Sequence, residues 1–103
     1  MIYRGKTWKP DSYAHINLGG NSYICRLISF YHIKAPNGSH RLLVDVRPYS
    51  IITSEKGVFV FDRDGVKKNQ LTTFDFILNL VGVVPYYEKL PLGHRYKCAV
   101  IID

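Results

Sequence analysis

The chain has 103 residues, 47% hydrophobic and 21% charged, which fits a single domain over residues 1–103 and leaves little room for two. Fourteen Lys and Arg against eight Asp and Glu give a formal charge of +6, a bias toward phosphate backbones or acidic partners. No segment reaches the ~18 apolar residues of a membrane span, and "MIYRGKTWKP" lacks a signal-peptide core, so a soluble, intracellular protein without a membrane partner is expected.

Taken in chain order, "DSYAHINL" (Asp11 to Leu18) alternates and ends at Gly19-Gly20-Asn21, a turn signature, so it reads as a strand. "SYICRLISFYHI" (Ser22 to Ile33) is rich in aromatic and β-branched residues and apolar on both alternating faces, as expected for a central strand. Pro36-Asn37-Gly38 then reverses the chain. In "HRLLVDVRP", Leu42, Val44 and Val46 share one face, and Arg41, Leu43, Asp45 and Arg47 share the other. Pro48 cannot donate to a ladder and is expected to end this strand or mark an edge.

"KGVFVFDRDGVKK" reads as a short strand, Val58 to Phe61, closed by an Asp64-Gly65 turn. "TTFDFILNLVG" is the one expected helix: Thr72 or Thr73 caps it, Asp75 suits its positive end, and Gly82 terminates it. Phe74, Ile77, Leu78 and Val81 fall on one helical face, although Phe74, Phe76 and Ile77 also suit a strand. "VVPYYEKLPLGH" reads as a surface loop and "RYKCAVIID" as a last strand. The expected fold is mainly β: a small, strongly bent β-barrel or paired sheets with one short helix.

Chemistry-bearing constellations are sparse. No Gly-rich phosphate loop is present, so no cofactor is expected. His15, His32, His40 and His94 form no metal motif; His32 and His40 could meet across the hairpin, but two ligands make a poor site, and no metal is expected. Asp62 and Asp64 read as turn formers, because the terminal ligand of a calcium loop is missing. Cys25 and Cys98 lie in apolar runs without Cys-x-x-Cys spacing and read as buried thiols in a reducing compartment, although two strands could bring them together. A mid-strand Cys25 is a poor nucleophile, and no enzymatic activity is expected. Eight tyrosines and one tryptophan stand out, several of them near strand ends: Trp8, Tyr13, Tyr31, Tyr49, Tyr86 and Tyr87. Such rings plug barrel ends, cage a methylated ammonium or stack nucleobases.

The stretch Asp11 to Ile51 resembles the first half of a bromo-adjacent homology (BAH) domain. Tyr23, Ile24, Arg26, Leu27 and Tyr31 match that family's "Y-I-x-R-I-x-x-I-Y" strand, and Val44, Val46, Arg47 and Pro48 match its "V-x-V-x-W-Y-Y-R-P" strand. Similar modules occur in transposon-encoded proteins. The resemblance implies an SH3/BAH-like barrel acting as a non-catalytic, chromatin-associated and nuclear interaction module. Its partner would be a histone tail or another protein. Trp8, Tyr13, Tyr31 and Tyr49 would form ring walls, with Asp45 as the anion beside a bound cation. Arg26 and Arg47 would either pair with Asp45 across the hairpin or contact acidic groups on a partner. Two other readings stand beside it: a nucleic-acid-binding barrel using basic charge and exposed tyrosines, and a scaffold domain that self-associates through an open strand edge.

Overall fold

The computed structural model describes residues 2–3, 6–85 and 96–102. Its strands are β1 (Ile2–Tyr3), β2 (Lys6–Thr7), β3 (Tyr13–Leu18), β4 (Asn21–Lys34), β5 (His40–Glu55), β6 (Val58–Val66), β7 (Gln70–Thr73), β8 (Ile77–Pro85) and β9 (Tyr96–Ile101). β1 and β2 form a ribbon of their own. The other seven make one antiparallel sheet in the order β4-β3-β8-β9-β6-β5-β7, and a further β4–β5 pairing closes six of them into a ring.

Tight turns set this topology. Gly19 and Gly20 (φ 61° and 90°) join β3 to β4, and Lys56 and Gly57 (φ 50° and 78°) join β5 to β6. Two successive positive φ values give the backbone twist that matches a two-residue hairpin. Asn37 supports the longer β4–β5 turn by accepting from the Ser39 amide at 3.0 Å.

Because side chains alternate across a strand, the ring has an inner face that is buried and an outer face that is buried over β3, β4 and β5. Its interior collects Ile24, Phe59, Phe61, Val81 and Ala99, with Tyr13, Tyr49, Ile51, Val83 and Ile101 around them. The outer face of β3, β4 and β5 carries a second core: Ala14, Ile16, Cys25, Leu27, Val44 and Val46, covered by Trp8 and Phe74. Trp8 meets Phe74 edge to face, with ring centroids 5.2 Å apart. These two cores explain why β4 is apolar on both faces. Each fully buried Ile, Leu, Val or Phe contributes roughly 1.5–3 kcal/mol.

Three sequence expectations are corrected. The expected helix is a strand: after a single 3-10 turn at Phe74–Phe76, β8 runs extended from Ile77. The reason is tertiary. β8 fills the gap between β3 and β9, and a helix there would leave both edges unpaired. Pro48 does not end its strand, since β5 continues to Glu55. The Pro48 carbonyl accepts from Lys67 N at 2.9 Å. An amide on the same residue would point the same way, into the break between the β7 pairing at Leu43 to Val46 and the β6 pairing from Tyr49 onward. Finally, Asp62–Gly65 is no chain reversal. It is an irregularity inside β6, where Phe61 and Val66 pair with Ile51 and Tyr49. The expected loop at 83–94 begins as strand through Pro85; the rest of it, with Tyr86, Tyr87 and His94, lies outside the described residues.

Candidate anion-binding mouth

The β4–β5 register decides what the ring interior presents at one end. Arg26 faces Arg47, Tyr13 faces Arg26 on the other edge of β4, and Tyr49 faces Ile24. These residues share the inner face of the sheet. With Phe61, Arg63 and Val83 they line a pocket of about 310 Å³ at the mouth of the ring. Phe61, only 1% exposed, is its floor. The Tyr49 and Tyr13 rings stand 5.5 Å and 6.2 Å from Phe61 and 6.4 Å from each other.

Three guanidinium groups therefore meet around two phenols. Arg26 is held by Asp11, whose Oδ1 accepts from Nε at 2.9 Å and also from Nη2. Asp11 sits at φ 68° and donates its own amide to Leu27 O at 2.8 Å, so the carboxylate is fixed by backbone. Its charge and hydrogen bonds raise the Arg26 pKa further above its ordinary value. Arg47 Nε donates to Asn69 Oδ1 at 3.3 Å, a neutral partner. Arg63 is exposed in the β6 irregularity, beside an Asp62 carboxylate that accepts from the Asp64 amide at 2.9 Å. Burial, and then the neighbouring Tyr49, raise the Tyr13 pKa, while Arg26 and Arg63 work against that rise. Tyr13 thus stays a neutral hydroxyl donor near neutral pH. Among the pocket-lining residues the charges are all positive, and Asp11 at the edge balances one. Planar guanidinium forks suit phosphate or carboxylate oxygens.

The residues expected from sequence are divided by this geometry. Tyr13 and Tyr49 come together at the mouth with Arg26 and Arg47. Tyr31 lies on a projecting arm made of the far halves of β4 and β5 with β7, where it and Asp45 line a separate groove of about 660 Å³. Trp8 is buried in the outer core, on the opposite side of the β3–β4–β5 sheet. The four rings do not form one cage. The expected pairing of Arg26 or Arg47 with Asp45 is also corrected: a bulge at Ile28 sets Asp45 opposite Ser29 and leaves Arg26 opposite Arg47. Arg63, Asp11, Asn69 and Phe61 were missed. Asp62-Arg63-Asp64-Gly65 carries only a turn signal, and nothing local says that β6 brings Arg63 to the mouth.

Other titratable groups lie elsewhere. His32 Nε2 and His40 Nδ1 approach to 2.8 Å on the arm, with their rings stacked. No group of three metal-ligating side chains occurs among the described residues. The His15 imidazole lies tilted against Phe59 inside the ring, centroids 4.5 Å apart, and its buried Nδ1 has no hydrogen-bond partner. Burial lowers its pKa below the ordinary 6.5, and Asn79 offsets part of that. Cys25 is a free thiol, pushed up to about 12 by burial. No helix among the described residues is long and apolar enough to cross a membrane.

No family model, curated protein or solved structure matches the chain, so its chemistry is read from its own geometry.

Proposed function

We propose that this chain is a non-catalytic module that binds a nucleic-acid strand, with a backbone phosphate held at the mouth of the ring. The observation that carries this reading is the convergence of Arg26, Arg47 and Arg63 with Tyr13 and Tyr49 on one pocket, with the Asp11 carboxylate paired to Arg26 at its edge. Guanidinium groups supply charge-assisted hydrogen bonds to phosphate, and a tyrosine face stacks an unpaired base with little regard to sequence. A net charge of +6 adds long-range attraction. A single strand suits the mouth better than a duplex, whose base faces are already stacked on one another.

The BAH-like reading, with an SH3/BAH-like barrel and a histone tail as ligand, is supported by the long bent β4–β5 hairpin and the ring closure. The mouth itself favours the nucleic acid. Three arginines repel a methylated lysine, and Tyr13 and Tyr49 stand without Trp8 or Tyr31 to complete a cation cage. The test is an NMR titration of the isotope-labelled chain with a short single-stranded oligonucleotide and, separately, with methylated histone peptides. Shifts clustered on Tyr13, Arg26, Tyr49 and Arg63 with the oligonucleotide support the proposal. Shifts there with the methylated peptide alone overturn it.

A further inference from the structure

The arm is the part of the fold that the mouth leaves unused. β4 and β5 run on past the ring, in a molecule that measures 55 × 27 × 22 Å. At this end the strands present two faces. One carries Phe30 and Leu42 toward the outer core. On the other, the register sets Ile33 beside Arg41, Tyr31 beside Leu43 and Thr73, and Ser29 beside Asp45 and Leu71. Tyr31, Ile33 and Leu71 are 47%, 46% and 58% exposed. Three apolar side chains left this open around Leu43, on a three-stranded sheet, are what a sheet-on-sheet contact covers.

The charges on this face indicate the occupant. Along β5 the outward residues read Arg41, Leu43, Asp45: a cation, an apolar centre and an anion at even spacing. Neither Arg41 nor Asp45 has an ion-pair partner among the described residues. A two-fold axis lying in the interface and crossing β5 at Leu43 places each Arg41 over the other copy's Asp45, Tyr31 over Tyr31, and Leu43 over Leu43. Such a contact is self-complementary, as a closed dimer requires. Packed sheets lie ~10 Å apart, a gap that an arginine and an aspartate reaching toward each other span. We infer that this arm face is a self-association surface and that a second copy of this chain packs on it, face to face, with Arg41 of each copy against Asp45 of the other. The mouth plays no part in the contact, so this inference is independent of the nucleic-acid proposal.

Sedimentation equilibrium over a range of concentrations, without nucleic acid, tests it. The wild type is expected to pass from monomer to dimer as concentration rises. Arg41→Asp and Asp45→Arg are each expected to weaken dimerisation by about tenfold or more, because each sets like charges against each other. The double variant R41D/D45R restores the pairing and is expected to recover most of that loss. Leu71→Lys, at an exposed position beside Asp45, removes apolar contact and sets a competing cation against that carboxylate, so it weakens the dimer and keeps the test open if Asp45→Arg fails to fold. A wild type that stays monomeric near millimolar concentration overturns the inference. So does a dimer indifferent to Arg41→Asp and Leu71→Lys, or a folded double variant that does not recover.

Discussion

Arg26 stands directly opposite Arg47 across the β4–β5 ladder, and the carboxylate that steadies Arg26 comes from Asp11, beyond the start of β3. Like charges at a cross-strand pair oppose folding, so the mouth is held in an arrangement that a bound anion relieves. Asp11→Asn is therefore expected to lower the melting temperature slightly at low salt and to tighten oligonucleotide binding. Thermal melts and fluorescence anisotropy on the same preparation check both directions. Sulfate or phosphate is expected to raise the melting temperature of both proteins by mass action, more so for the variant.

The two aromatic sets are expected to separate cleanly. Trp8→Phe alters the outer core, where Trp8 meets Phe74, and leaves oligonucleotide affinity unchanged. Tyr49→Ala removes a wall of the mouth and is expected to cost binding about 1–3 kcal/mol, the range for a stacked base. Phe61→Ala removes the floor and a fully buried ring, and is expected to destabilise the fold by about 3–5 kcal/mol. Denaturant melts separate this loss of stability from a loss of affinity.

His15 gives stability a pH dependence of defined sign. Its folded pKa lies below 6.5 because the ring is buried against Phe59, while the unfolded chain titrates near 6.5. As pH falls through 6.5 the unfolded state takes up the proton first, so stability declines there and levels off below the folded pKa. Above 6.5 this contribution is fully present. His15→Phe keeps the ring and removes the titration, and is expected to flatten the melting temperature between pH 7.5 and 5 relative to wild type.

Cys25 is expected to resist alkylation in the native state. Its side chain is fully buried and its thiol is pushed up to about 12, so almost no thiolate exists at pH 8. Peptide mapping by mass spectrometry after brief native alkylation should find Cys25 unmodified, and alkylation in denaturant should modify it. Rapid native modification would contradict the burial.

The strands were legible where local chemistry dominates. The Gly19-Gly20 turn, the Pro36-Asn37-Gly38 reversal and the double-faced hydrophobicity of β4 all announce themselves within a few residues. The helix expectation over Thr72 to Gly82 failed because Phe74, Ile77 and Val81 satisfy a helical spacing that only the open edges of β3 and β9 overrule. Tyr13, Tyr49, Arg26 and Arg47 were singled out from sequence, but their grouping was not, since the bulge at Ile28 shifts Asp45 away and the β6 irregularity places Arg63 alongside. Trp8 stood out for its rarity, and rarity does not distinguish a core ring from a binding ring.

The most direct measurement is the salt dependence of single-stranded oligonucleotide binding, by fluorescence anisotropy, for wild type and for the Arg47→Ala/Arg63→Ala variant. The expected result is an affinity that falls steeply with salt in the wild type. In the variant it is weaker at low salt, with a slope smaller by about 1–2, as each lost phosphate contact removes roughly 0.7 from the slope on single strands. Equal affinity and equal slope for the two proteins, or no binding at low salt, would contradict a phosphate seat at the mouth of the ring.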